Sequence, residues 1–369
     1  MKKIGILTFH NANNYGAVLQ AYALKSTLTR LGSTAHVLNY YCPKLQREYK
    51  GIPVFKKSFA EIIKYPFKLL FFPILRKQIA RRFKSFREQY LLDTKPLLPS
   101  IIGDNTQSYD AFVCGSDQVF NPRITHFDSN YFLAFSPNKS KNYSYAASFG
   151  LALEYLRPEE RAFFAKQLAH FNQISVREMQ GAQIVEDILA SKAQVHIDPT
   201  LLLTKEDWKK LAVLPKTKNY VLLYLMYEDP NLISLAQQLA RQKGCELLFI
   251  SHSMYFRKTV PAPYIKPTPQ EWLGLFLNAQ YVFTNSFHGL AFSINFNRPF
   301  FVGRLPNKRG AINSRFDNLL EITGLQNRLY TRFTATHNFD EPIEWQRVNN
   351  ILTQEREKSF SYLRTITQG

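Results

Sequence analysis

Apolar residues recur along this chain in two alternating rhythms. Lys3 to Phe9 is a short run rich in Ile and Leu with polar residues on either side, which predicts a strand. Val18, Ala21, Leu24, Leu28 and Leu31 then recur at steps of three and four up to Gly32, which predicts a helix. Ala35 to Tyr41 reads as the next strand, and a β-α-β unit of this kind implies a parallel sheet. The alternation continues with strands predicted at 109–114, 142–148, 173–176 and 193–197, and a helix from Pro158 to Phe171 with proline in its first turn. A second series begins near residue 216, with strands at 219–226, 245–250, 281–283 and 299–302. Asp229-Pro230 opens a helix that Gly244 closes, and Thr268-Pro-Gln-Glu271 is a capping box for another. Pro342 to Ile366 reads as a long C-terminal helix.

Two successive parallel series predict an α/β protein built from two doubly wound, Rossmann-like domains facing a cleft. The expected boundaries are an N-terminal domain at 1–200 with a basic helical insertion at 44–100, a C-terminal domain at 201–341 and a C-terminal helix at 342–369. Ligands of such folds bind beyond the carboxyl ends of the strands. Seven of the predicted strands end there in clusters of Gly, Asn, Ser, Asp, Arg or His, a distribution that points to an enzyme.

Composition narrows the class. Of 369 residues, 45 % are hydrophobic, enough for a substantial core and too many for a disordered chain. The three cysteines, Cys42, Cys114 and Cys245, are odd in number and far apart, so neither a disulfide framework nor a zinc site is expected, and a reducing compartment fits best. The apolar run after Met1-Lys2-Lys3 ends at His10 and reads as a strand, not an export signal. No apolar run approaches the ~20 residues that a membrane span needs.

Charge adds one feature. The 47 Lys and Arg exceed the 28 Asp and Glu by 19, and the window Lys44–Lys95 holds 14 basic against 4 acidic residues. Basic residues there interleave with aromatic residues and Leu. That pattern suits a solvated helical insertion packed on its domain, or peripheral contact with an anionic membrane surface. Nucleic acid fits less well and is not an expected partner.

Several common chemistries are excluded by their missing motifs. G-x-G-x-x-G, the P-loop pattern, D-x-D, H-x-H, H-E-x-x-H and G-x-S-x-G are all absent. Among the residues present, His288 follows a strand, precedes Gly289 and opens a helix, a place that favours an anion and suits acid–base work. A structural histidine bonded to a loop carbonyl is the alternative. Arg177 ends a strand and could grip phosphate or carboxylate through two parallel hydrogen bonds, or pair with Glu178 or the opposite domain. Asn11, Asn14 and Gly16 precede the first helix, where turn and cap chemistry competes with a sugar-binding role. Asp117 and Gln118 could meet sugar hydroxyls or cap a helix, Asp198-Pro199 reads mainly as a strand end, and His10 and His252 also end strands.

Taken together, five segments resemble the polysaccharide pyruvyl transferase family: Asn11…Asn14-Tyr-Gly16-Ala-Val-Leu-Gln20, Gly115-Ser-Asp-Gln118, Ser175-Val-Arg177-Glu178, Asp198-Pro-Thr200 and Thr284-Asn-Ser-Phe-His288-Gly289. They occur in the family's order. The resemblance implies an architecture like that of GT-B glycosyltransferases. It implies transfer of pyruvate from phosphoenolpyruvate onto two hydroxyls of a sugar as a ketal, in the synthesis of bacterial capsule, exopolysaccharide or cell-wall polymers. It further implies a nucleotide- or lipid-linked sugar or oligosaccharide acceptor and a cytoplasmic enzyme; peripheral contact with the inner face of the plasma membrane is the alternative that the basic window, not the resemblance, keeps open. No cofactor or metal is expected beyond phosphoenolpyruvate as co-substrate.

By the same resemblance His288 would be catalytic. Arg177, Asn285, Ser286, Gly289 and Arg315 would bind the donor, and Asn11, Asn14, Gly16, Asp117 and Gln118 the acceptor. The family's Arg two residues before the motif His is Ser286 here, with Arg304 and Arg315 downstream as replacements. Ser286 therefore keeps a second function open, a GT-B-like glycosyltransferase using another anionic donor. A non-catalytic basic protein that binds acidic polymer is a third, and the strand-end clusters argue against it.

Overall fold

The computed structural model describes residues 1–45, 80–251, 260, 262–306, 313–330 and 339–368. Strands β1 (Lys3–Leu7), β2 (Thr34–Val37), β3 (Ala111–Cys114) and β4 (Asn142–Ser144) form a parallel sheet in the order β2-β1-β3-β4. The short parallel pair β5 (Ser175–Val176) and β6 (Gln194–Val195) continues beside it through bridges from Tyr143 to Gln173 and from Ala147 to Val176. The second sheet contains β7 (Tyr220–Leu225), β8 (Glu246–Ser251), β9 (Tyr281–Thr284), β10 (Phe300–Gly303) and β11 (Leu329–Tyr330) in the order β11-β10-β9-β7-β8, again parallel throughout. This is the expected α/β class with two Rossmann-like parallel sheets.

Most N-terminal strands are shorter than their apolar runs. β1 stops at Leu7 because the next residue turns inward: the Thr8 hydroxyl donates to the Ser116 carbonyl (2.9 Å) and accepts from Gln20 (2.8 Å). β4 stops at Ser144, whose hydroxyl donates to the Ser175 carbonyl (2.9 Å), and Ala146 follows at φ 48°. Side-chain hydrogen bonds have displaced the backbone ladder at these strand ends. Two further helices, Met179–Leu189 and Ser314–Thr323, and the edge strand β11 add to the predicted elements.

The two halves of the chain share a core. Helix Tyr15–Arg30 connects β1 to β2, yet Tyr15 stacks on Trp272 at 5.4 Å and donates its hydroxyl to the Pro267 carbonyl (2.8 Å), while Tyr22 meets Trp208 at 5.7 Å. Trp208 and Trp272 are fully buried; side chains of this size contribute on the order of 3 kcal/mol each on burial. The C-terminal helix Trp345–Gln368 straps both halves: Arg356 donates to the Leu201 carbonyl (2.7 Å) and to Asn295 (2.9 Å), and Tyr362 donates to the Ser144 carbonyl (2.7 Å). Of the expected basic insertion, residues 80–90 form a helix with Phe83 and Phe86 buried, Phe83 lying 4.9 Å from Tyr15. The apolar centre at 65–75 lies outside the described residues. No described helix is long and apolar enough to cross a membrane.

A buried histidine behind the first sheet makes stability depend on pH. His196 lies against Tyr362 (4.8 Å between ring centres) and Tyr145 (5.8 Å). The Ser175 hydroxyl accepts from the Ala146 amide (3.0 Å) and is hydrogen-bonded to Nδ1 of His196 (2.7 Å). Burial, and then the charge of Lys358, push its pKa down to about 4. The unfolded chain takes up this proton near pH 6.5, so the fold has its full stability above that pH and loses stability as the pH falls towards 4. At ~1.4 kcal/mol per unit the loss approaches about 3 kcal/mol. Denaturant midpoints measured from pH 7 to 4.5 should fall for the wild-type protein and fall less for His196→Leu. Parallel curves for the two proteins would contradict this.

Candidate active site

The carboxyl ends of the two sheets meet at a cavity of about 360 Å³, within the range of small-ligand sites. Asn14, Asp117, Gln118 and Arg123 line it from the N-terminal half, and Asn285, Ser286, His288 and Arg315 from the C-terminal half. Each is placed by a local device. Asn14 caps helix Tyr15–Arg30, accepting from the Ala17 amide at 3.3 Å. Asp117 sits at φ 76° beyond β3, with its carboxylate accepting from the Gln118 amide (2.9 Å).

On the other wall, Thr284 ends β9 by donating to the Tyr224 carbonyl (2.7 Å) and accepting from the Ser286 amide (3.0 Å). The Ser286 hydroxyl accepts from the Gly289 amide (3.4 Å) and starts helix Phe287–Asn295, which sets His288 in the first turn. Asn285 holds the loop after β7, accepting from the Met226 amide (2.8 Å) and donating to the Tyr227 carbonyl (2.9 Å). Two glycines permit close contacts. A Cβ on Gly289 would stand 2.4 Å from Thr284 Oγ1, and one on Gly16 would stand 1.9 Å from His288 Nδ1. Gly16 is therefore where the N-terminal half packs directly on the histidine ring.

Behind His288 lies a buried charge network. Asp198 Oδ2 accepts from Arg177 Nη1 (2.7 Å) and from the Ser116 hydroxyl (2.9 Å), and Oδ1 accepts from the amide and hydroxyl of Thr200 (3.0 and 2.8 Å). Glu178 accepts from the Ser148 hydroxyl (2.7 Å) and lies 3.7 Å from Arg177 Nε. Nε2 of His288 stands 3.7 Å from Asp198 Oδ2, beyond hydrogen-bond reach, and has no hydrogen-bond partner among the described residues. Burial raises the Asp198 pKa, but His288, Arg177 and the Thr200 amide outweigh it and hold the carboxyl far below its usual range. Burial also opposes the charge on Arg177, and the carboxylates of Asp198 and Glu178 outweigh that and raise its pKa. Arg315 is pushed down to about 10, by burial first and by Arg177 next, and stays cationic at neutral pH. Both guanidiniums lie over the Phe287 ring, at 4.5 Å for Arg177 and 5.5 Å for Arg315.

The predicted site residues divide into three groups. His288, Asn285, Ser286, Arg315, Asn14, Asp117 and Gln118 come together on the cavity, while Gly16 packs on the His288 ring and Gly289 on Thr284. Arg177, only 3 % exposed, stands behind the wall and is engaged by Asp198. Asn11 lies apart, donating to Asn39 (3.3 Å). Of the two replacement arginines, Arg315 reaches the cavity, whereas Arg304 pairs with Asp317 at 2.7 Å and does not line it. His10 is buried and its ring bonds the Thr8 carbonyl and Asn39, both at 3.1 Å; His252 lies outside the described residues. The sequence reading missed Arg123 on the cavity and the depth of the Asp198–Arg177–Ser116 network.

A sequence profile described as polysaccharide pyruvyl transferase matches residues 14–302. The chain belongs to this family. The family is one of transferases, and the matched stretch opens at the helix cap Asn14 and closes in β10, so it takes in the strand-end clusters of both walls. Arg315 lies beyond it. Comparison with curated protein sequences gives no significant match. Among solved structures, this pyruvyl transferase family chain is similar to UDP-GlcNAc 2-epimerase from Neisseria meningitidis bound to UDP-GlcNAc. That pair shares 13 % identity, covers 100 % of this chain and 94 % of the other, and has a TM-score of 0.46. MnaA of S. aureus with UDP is 11 % identical over 99 % and 91 % of the two chains, with a TM-score of 0.49. The E. coli heptosyltransferase WaaC with ADP is 11 % identical over 96 % and 99 %, with a TM-score of 0.40.

Proposed function

We propose that this protein moves the pyruvyl group of phosphoenolpyruvate onto two hydroxyls of a sugar as a ketal, with release of inorganic phosphate. The observation that supports this most is the meeting of His288 and Arg315 on one wall with Asn14, Asp117 and Gln118 on the other, in a chain of this family. Arg315 and the first turn of helix Phe287–Asn295 would hold the phosphate and carboxylate of the donor. Protonated His288 would give its proton to carbon 3. Carbon 2 then becomes cationic and accepts the first sugar oxygen, whose proton passes to His288. The second hydroxyl displaces phosphate from carbon 2, its proton leaving on the phosphate, and closes the ketal.

Arg177 serves this chemistry through Asp198, keeping the carboxylate charged beneath the histidine. Residues 1–200 would carry the acceptor side and 201–341 the donor side. The acceptor would be a nucleotide- or lipid-linked sugar destined for a bacterial surface polymer. Peripheral contact with an anionic membrane rests on the basic segment, whose centre lies outside the described residues.

The donor is tested by thermal shift. A ligand at a hundredfold its Kd stabilises a fold by about 2.7 kcal/mol. Phosphoenolpyruvate should raise the Tm of the wild-type protein and fail to do so for Arg315→Gln. The Ser286 hydroxyl is engaged in capping its helix and supplies no cation, which is the feature that favours a different anionic donor. No stabilisation by phosphoenolpyruvate, together with transfer of the glycosyl group of a nucleotide sugar and release of the nucleotide, would establish that second function.

A further inference from the structure

Arg123 lines the same cavity as His288 and Arg315, from the N-terminal wall, and was not among the residues the motifs select. It is about one-fifth exposed, and it is held by Glu160, a carboxylate with no exposed surface. Its Nε donates to one Glu160 oxygen (2.7 Å), while Nη2 donates to the other (2.9 Å) and to the Tyr155 carbonyl (2.9 Å). Nη1 makes no hydrogen bond to a described residue. A guanidinium fixed this way through Nε and both N–H groups of Nη2 leaves Nη1 held in place as the donor to an oxyanion.

Glu160 does not depend on Arg123 for its pairing. Arg157 supplies it with a second guanidinium (2.8 Å) and a backbone amide (2.9 Å). Arg157 also lies 3.2 Å from Glu159, so two guanidiniums meet two carboxylates here, and of these four groups only Arg123 lines the cavity. Asp117 is the other charged group of that wall, and its carboxylate is engaged with the Gln118 amide. The cavity thus carries two cationic poles on different halves of the chain, Arg315 beside His288 and Arg123 opposite it in chain origin.

We infer that Arg123 is the residue of the N-terminal wall that binds the phosphoryl group of a phosphate- or diphosphate-linked acceptor. This rests on the proposed reaction: the donor's anionic groups occupy the pole at Arg315 and His288, and the acceptor must bring its hydroxyls there from the other wall. The phosphoryl group can come from a nucleotide or from a lipid carrier, since Arg123 meets only the chemistry the two share.

The test is calorimetry on the full-length protein with four probes: inorganic pyrophosphate, UDP, geranyl diphosphate and phosphoenolpyruvate. Arg123→Gln should weaken pyrophosphate at least tenfold and leave phosphoenolpyruvate within about twofold; Arg315→Gln should do the reverse. Arg123→Gln takes two hydrogen bonds from buried Glu160 and should lower the Tm, so affinities are read well below the Tm of each variant, and Arg123→Lys, which keeps the charge, should lose less pyrophosphate affinity than Arg123→Gln. UDP and geranyl diphosphate should compete with pyrophosphate, and the tighter of the two identifies the carrier. Unchanged pyrophosphate affinity in Arg123→Gln, equal loss of both anions, no pyrophosphate binding by the wild type, or no competition from either organic diphosphate would each overturn the inference. Failure of phosphoenolpyruvate to bind while pyrophosphate binds through Arg123 would remove the proposed donor and leave Arg123 as an anion site.

Discussion

His288→Gln is expected to lower kcat by about two orders of magnitude or more, the scale of a lost general acid or base, with little change in Tm. Glutamine keeps the bulk and a hydrogen-bonding end but exchanges no proton near neutral pH. The surroundings allow the substitution. His288 is 7 % exposed, its Nε2 has no hydrogen-bond partner among the described residues, and its ring packs on the bare Cα of Gly16. Loss of the ring therefore breaks no hydrogen bond from Nε2. A structural histidine would show the opposite pattern, with near-normal turnover in whatever fraction folds and a lowered Tm.

The second large effect is on folding. Asp198→Ala should destabilise the protein by about 3–5 kcal/mol, the cost of breaking a buried ion pair from one side. Arg177 would lose its 2.7 Å partner while remaining buried, and Ser116 and Thr200 would lose their acceptor. Because the Asp198 carboxyl titrates far below its usual range, its contribution is present from the ordinary carboxylate pKa upward. It is lost only as the pH falls through the folded value. The double variant Arg177→Met, Asp198→Leu should recover much of the stability lost by Asp198→Ala, since no unpaired charge remains. Urea unfolding of the set checks this. Additive losses in the double variant would mean that the two side chains act independently.

The fold was legible where apolar periodicity was strong. The strand positions of both sheets, except the edge strand β11, and the capping box at Thr268 and Glu271 follow from local pattern, because a buried parallel strand is a continuous apolar run. Strand ends were less legible: Thr8 looks compatible with a strand, and only its partners across the fold show that it leaves β1, while the hydroxyl contacts of Ser144 with Ser175 mark the end of β4. In the site, the clusters after the strands supplied Asn14, Asp117, Gln118, Asn285, Ser286 and His288 of the cavity wall. Arg177 and Arg315 could not be ranked from sequence, since what separates them is a tertiary contact, Asp198 beneath one and open cavity beside the other. Arg123 carried no signal, for its partner Glu160 lies 37 residues away on another helix.

The central claim is that carbon 2 of phosphoenolpyruvate is transferred, not its phosphoryl group. It is tested most directly with phosphoenolpyruvate carrying a heavy-oxygen label at the bridging position, supplied with diphosphate-linked sugars and followed by phosphorus NMR. Transfer of the pyruvyl group breaks the carbon–oxygen bond, so the released phosphate should keep the label and the sugar should gain a ketal. Unlabelled phosphate with labelled pyruvate, or a glycosyl product formed without phosphoenolpyruvate, would contradict the account.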